Sequence, residues 1–180
     1  LLPGAGGNLR LLSHWMKKLE PLRPGPFPAI QKTFETIGFA KVSTSAAEAR
    51  ALGYFSPDDI IVINREHQLH TAKQTVLELS ENYKAPEPEE FILPGNDGYL
   101  VMESAINDFV KKAMISEHDA LIGKKIAYIL TGGEKADLFH PVSEQYLLDI
   151  EREGFLSLAG TKKTKERIAF MLKKGKPLRN

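Results

Sequence analysis

The run Ile60-Ile61-Val62-Ile63 constrains the fold more than any other feature, because it is the only strong strand signal in the 180 residues. Four β-branched residues, bounded by Pro57-Asp58-Asp59 and Asn64, favour extended backbone. A lone strand cannot satisfy its own N–H and C=O groups. It therefore pairs with a segment outside this sequence or serves as an extended connector. The remainder has to be built from helices, and the expected fold class is mainly α with one short strand.

Helical periodicity is plain elsewhere. Leu9, Leu12, Trp15, Met16 and Leu19 share one face, with Asn8 as the expected N-cap. Pro21, Pro24, Gly25, Pro26 and Pro28 break the pattern, and a second helix is expected over 29–42. Ser45-Ala46-Ala47-Glu48 spells a capping box, and Gly53 suits the end of the helix it opens. A further helix is predicted over 68–83. Lys84 to Leu93 is rich in proline and acid and reads as a linker. Helices near 98–114, 117–131, 143–159 and 162–174 complete the chain. Ser116 and Ser143 are their capping residues and Gly175 the final stop. The expected organisation is thus 1–84, a linker at 85–96, and an all-helical lobe at 97–180.

Charge and composition exclude several functions. Lys+Arg is 24 and Asp+Glu 23, a net charge of +1 that gives the whole chain no electrostatic case for nucleic acid or an anionic membrane. Without cysteine there is no disulfide, no thiolate metal site and no cysteine nucleophile. No apolar run approaches the ~20 residues a spanning helix needs. The opening Leu1-Leu2-Pro3-Gly4-Ala5-Gly6-Gly7 lacks the basic and apolar regions of a signal peptide. An apolar pair leading into a glycine-rich turn reads as the interior of a fold, so a longer parent protein is expected.

Few residues group as chemistry requires. Glycines at 4, 6 and 7 before a helix can bring backbone amides close to an anion, or simply make a tight turn. They are not a dinucleotide fingerprint, because Leu9 holds the third glycine position, and no Gly-Lys-Ser/Thr follows. His67 and His70 share a helix face but lack a third and fourth ligand, so no metal site is assigned. Glu151-Arg152-Glu153 reads as an exposed helix face, and His14 as a residue in the polar arc of the first helix. From Thr161 onward, eight basic residues face the single acid Glu166, which leaves that segment at +7 and residues 1–160 at −6. Such a segment suits phosphates, an acidic partner surface or plain solvation. With only Phe170 among them, stacking on single-stranded nucleic acid is not expected.

Two stretches carry a resemblance. Leu1-Leu2-Pro3-Gly4-Ala5-Gly6-Gly7-Asn8-Leu9-Arg10-Leu11 resembles the segment after the second catalytic glutamate in the enoyl-CoA hydratase/isomerase (crotonase) superfamily. Ser43-Thr44-Ser45-Ala46-Ala47-Glu48-Ala49-Arg50-Ala51-Leu52-Gly53-Tyr54 resembles a later helix of that family, which ends at glycine and enters a strand. Phe34 to Val42, Leu130-Thr131-Gly132-Gly133 and the ending Met171 to Asn180 look most like the bacterial fusion of a 3-hydroxyacyl-CoA dehydrogenase to a hydratase-like domain. The resemblance implies the helical C-terminal part of a crotonase-like fold plus an all-helical extension, within a fatty-acid β-oxidation protein of the cytoplasm.

The family's two glutamates and both oxyanion amides lie ahead of the stretch matched from Leu1. Glu20, Glu35 and Glu48 therefore inherit neither role. No catalytic residue is assigned, and the chain alone is expected to be inactive although its parent is an enzyme. Pro3, Gly4, Ala5 and Gly6 are the candidate border of an acyl pocket. Lys162, Lys163 and Arg167 are the candidate contacts to coenzyme A phosphates. Acyl-CoA, the upstream domains and a homo-oligomer are the implied partners. The chain itself is expected to hold no cofactor, NAD belonging to the dehydrogenase part. The alternative is an independent helical interaction or oligomerisation module without catalysis.

Overall fold

A computed structural model describes every residue from Leu1 to Asn180. The chain is mainly helical. In order, its elements are α1 (Gly7–Leu19), α2 (Phe27–Gly38), α3 (Ala46–Leu52), α4 (Gln68–Ser80), β1 (Glu90–Phe91), α5 (Gly95–Lys111), α6 (Glu117–Leu130), β2 (Val142–Ser143), α7 (Glu144–Ala159) and α8 (Lys162–Lys174). Short 3-10 turns occupy Glu20–Leu22, Arg65–His67 and Gly133–Lys135.

The chain divides into two units, Leu1–Val42 with Glu89–Asn180, and Ser43–Pro88. This differs from the linear reading at 85–96. Leu9, Leu12, Trp15 and Ile30 from the first stretch share one apolar cluster with Leu93, Leu130, Leu147 and Leu158 from the last. Residues 84–88 are exposed, but Phe91 and Leu93 at the end of the proline- and acid-rich stretch belong to the core, and composition does not say which distant helix faces meet across it.

In the larger unit α6 is the central element, packed by α5, α7, α2 and α1. Ala120, Gly123, Ile126, Ala127, Ile129 and Leu130 are buried around much of its circumference, as a helix enclosed by others requires. A smaller cluster of Met102, Ile106, Ala120 and Ala127 joins α5 to α6. Each large aliphatic side chain so enclosed contributes about 1.5–3 kcal/mol.

The helix starts are set by local chemistry. Ser116 accepts from the Asp119 amide while Asp119 reaches back to Ser116, a complete capping box. Ser143 and Thr161 cap α7 and α8 through a single bond each, accepting from the Tyr146 and Thr164 amides, and Gly175 closes α8 in the left-handed region. α6, α7 and α8 match their expected ranges to about a residue. α5 begins earlier than expected, at Gly95. There φ is +57° and an added Cβ would sit 1.9 Å from the Ala136 carbonyl oxygen, while the Gly95 amide donates to the Thr131 carbonyl at 2.8 Å.

The expected strand at Ile60–Ile63 does not form. The sheet is instead β1 paired antiparallel with β2, Glu90 opposite Ser143 and Phe91 opposite Val142. Strand preference is a preference for a packed, paired surface. Phe91 and Val142 find one, with Phe91 3% and Val142 6% exposed, whereas Ile60 is 62% and Ile63 99% exposed.

The smaller unit is organised by polar contacts. Ser45 caps α3 through the Glu48 amide, and Gly53 ends it at φ 84°. The returning half of the expected box lands one residue earlier, where the Glu48 carboxylate accepts from the Thr44 amide at 2.6 Å and its hydroxyl at 2.7 Å. Arg50 holds the following turn by donating to the Asp59 carbonyl at 2.8 Å.

Candidate functional site

The glycine-rich turn meets a residue that the sequence reading placed in solvent. Glu151 on α7 is 1% exposed, not part of an open face. One carboxylate oxygen accepts from the Gly6 amide at 2.6 Å. The other accepts from the Asn8 amide and from the Asn8 side-chain Nδ2, both at 3.0 Å. Gly6, at φ 86°, is the N-cap of α1 and has no side chain to cap with, so Glu151 performs that role from across the fold. Asn8 is therefore not the expected cap. It lies inside the first turn, fully buried, its side-chain Nδ2 also donating to the Pro3 carbonyl at 3.1 Å.

The turn owes its small residues to α7. A Cβ on Gly4 would sit 2.3 Å from the Phe155 ring, and one on Gly6 3.3 Å from Leu148. Helix amides that could have received an external anion already hold the protein's own carboxylate. Pro3, Gly4, Ala5 and Gly6 thus form a turn seated on α7.

Arg167 faces inward from α8. Its guanidinium donates to Asp119 Oδ1 at 2.7 Å, to Asn180 Oδ1 at 2.8 Å and to the Asn180 carbonyl at 3.2 Å. Burial pushes the Asp119 carboxyl up, but the bonds from Arg167 and Ser116 outweigh it and hold the group below its usual value. His118, 5% exposed, joins α6 to α8 through a 3.0 Å bond to the Thr164 hydroxyl. Burial first, and then the charges of Arg167 and Lys163, lower its pKa. Lys162 and Lys163 point outward from the first turn of α8, Lys162 standing 4.0 Å from Glu166. The structure therefore separates the three basic candidates, with two in solvent and Arg167 engaged internally.

An open groove of about 540 Å³ lies along α1 in the larger unit. Met16, Leu19, Ala29, Phe91 and Ile92 supply its apolar lining, and Arg23 stands among its polar residues. Ser13 donates to Glu89 at 2.6 Å, and Lys17 pairs with the same carboxylate. Burial raises the Glu89 pKa and these two donors more than reverse it, leaving the group below its usual value. No imidazole lines the groove, and its only hydroxyl is held by Glu89. No group of three or more His, Asp or Glu side chains is placed to hold a metal ion, and His67 and His70 are exposed. No helix is long and apolar enough to cross a membrane.

Sequence reasoning missed Glu151, His118 and the Asp119–Arg167 pair. The signal for Glu151 was present. Leu147, Glu151, Gly154 and Leu158 recur at intervals of four, three and four, so Glu151 lies on the buried stripe of α7 and not on its outer face.

Against known proteins, no family model matches the chain, and no solved structure does. The chain is 43% identical over 182 residues to a protein of Bacillus subtilis (strain 168) named "Probable 3-hydroxyacyl-CoA dehydrogenase". The match takes in 100% of this chain and 22% of that protein, so the chain spans about a fifth of the length of the curated relative it matches.

Proposed function

We propose that this chain is a segment of a longer 3-hydroxyacyl-CoA dehydrogenase of fatty-acid oxidation, in which it supports folding, coenzyme A binding and assembly without supplying acid–base groups. One observation carries the reading: 43% identity that runs through the whole chain, alongside a relative bearing that name. The crotonase-like character of residues 1–84 and the cytoplasmic setting belong to the same proposal. Lys162 and Lys163 are the outward cations suited to the phosphates of an acyl-CoA, and Arg167 fixes the α6–α8 corner from which they project. The turn at Pro3–Gly6 borders the acyl pocket by positioning α1.

NAD, the oxidant such a dehydrogenase uses, does not fit the residues present. The one glycine-rich turn has Leu9 in place of the third glycine, and its amides are bonded to Glu151. The dinucleotide therefore binds to other parts of the longer protein, and no step is routed through this chain.

The test compares the longer gene product with the 180-residue chain. Each is assayed for NAD-dependent oxidation of 3-hydroxybutyryl-CoA and for hydration of crotonyl-CoA. Oxidation by the longer protein and neither reaction by the chain is the expected result. Turnover by the short chain, or a longer protein that does not oxidise hydroxyacyl-CoA, overturns the proposal. The alternative, an independent interaction module, draws on the exposed apolar residues of the smaller unit.

A further inference from the structure

Ser43–Pro88 buries almost nothing of its own. Ala49 and Gly53 are its only buried residues, and α4 has none. Yet α4 is patterned as a packing helix. Leu69, Ala72, Val76 and Leu79 recur at intervals of three, four and three and fall within one narrow arc of the helix. Leu69 is 82%, Val76 64% and Leu79 67% exposed, and His70, Gln74 and Glu78 take the opposite side. The unpaired run Ile60–Ile63 precedes this helix, and Ile60, Ile61 and Ile63 of it are exposed as well. Apolar side chains repeated at this spacing in open solvent mark an interaction surface.

We propose that the Leu69–Ala72–Val76–Leu79 stripe of α4 is a docking face covered by the remaining polypeptide of the longer protein, through an apolar helix or sheet face of that remainder. The choice of occupant rests on the reading given under Proposed function, and on length. The matched relative carries more than three-quarters of its chain outside the region that corresponds to this one. A unit with no core of its own gains one only by packing on further chain.

Hydrogen–deuterium exchange read by mass spectrometry over residues 68–80 tests this in the longer gene product. The expected result is slow exchange there, at least about tenfold slower than in the 180-residue chain, where an exposed single helix opens freely. The double variant Val76→Glu/Leu79→Glu should abolish that protection in the longer protein, while Gln74→Glu, on the far side of α4, should leave it. Equal exchange in the two proteins overturns the proposal. So does concentration-dependent dimerisation of the 180-residue chain that the double variant abolishes, which would assign the stripe to a second copy. Protection in a longer protein that fails to oxidise 3-hydroxybutyryl-CoA would sink the functional reading and leave the docking face standing. Activity without protection would do the reverse.

Discussion

Replacing Glu151 is the sharpest test of how the first helix is held. Its carboxylate is 1% exposed and receives three hydrogen bonds, at 2.6, 3.0 and 3.0 Å, with no cation among the donors. Its donors are the amides at the start of α1 and the Asn8 side chain. Glu151→Ala strips acceptors from the Gly6 and Asn8 amides and from the Asn8 side chain, in a place where water does not replace them. Unsatisfied buried donors cost about 1–3 kcal/mol each, so the expected loss is about 3–5 kcal/mol. For a chain of this size that lowers Tm by on the order of 10 °C. Glu151→Gln keeps one carbonyl oxygen but turns an NH₂ group toward donors, and should fall between the two at about 2 kcal/mol. Urea unfolding followed by the fluorescence of Trp15, which is buried on α1, reads the loss at the helix concerned. Added salt should leave the ranking unchanged, because the group is shielded from solvent. A Glu151→Ala chain within about 1 kcal/mol of the parent would refute the reasoning, since removal of a sole buried cap cannot be that mild.

Other outcomes follow from the same structure. Gly95→Ala places a Cβ 1.9 Å from a backbone carbonyl at φ +57° and should destabilise by about 3 kcal/mol or more, measured by urea midpoint; a change below 1 kcal/mol would contradict the geometry. Leu147→Ala, at a fully buried position, should cost about 2–5 kcal/mol, while Leu172→Ala, 83% exposed, should stay within about 0.5 kcal/mol. The His118 imidazole has its pKa lowered on folding, so the folded state binds the proton less well than the unfolded one. Its contribution is complete above the ordinary value of about 6.5 and is lost as pH falls below it toward the folded value. The urea midpoint of the parent should decline over that interval more steeply than that of His118→Asn, and parallel profiles would exclude the role.

Local signals in the sequence carried the helices well. Ser116, Ser143 and Gly175 act within a few residues of themselves: α6 and α7 begin where the two serines place them, and α8 ends at the glycine. What required the folded chain was every partnership across long separations. Ile60–Ile63 has the composition of a strand but no partner, whereas Glu90–Phe91, inside an apparent linker, has one in Val142–Ser143. Asn8 looked like a cap because its own neighbourhood favours capping. The true cap is a glutamate whose stripe position on α7 outweighs the charged pair Arg152 and Glu153 beside it. Arg167 likewise reads from the sequence as a candidate phosphate contact, and only the folded chain brings Asp119 to it.

The Gly6–Glu151 bond also bears on how the polypeptide matures. Its two ends are 145 positions apart, so the start of α1 stays incomplete until α7 has been made. At roughly 5–20 residues per second, the interval on the ribosome is on the order of 10–30 s. Throughout it, a nascent helix carrying Leu9, Leu12 and Trp15 waits without its anchor. The first helix of this unit to be synthesised is therefore one of the last to be secured. That delay makes it a stretch of the emerging chain for a holdase to shield.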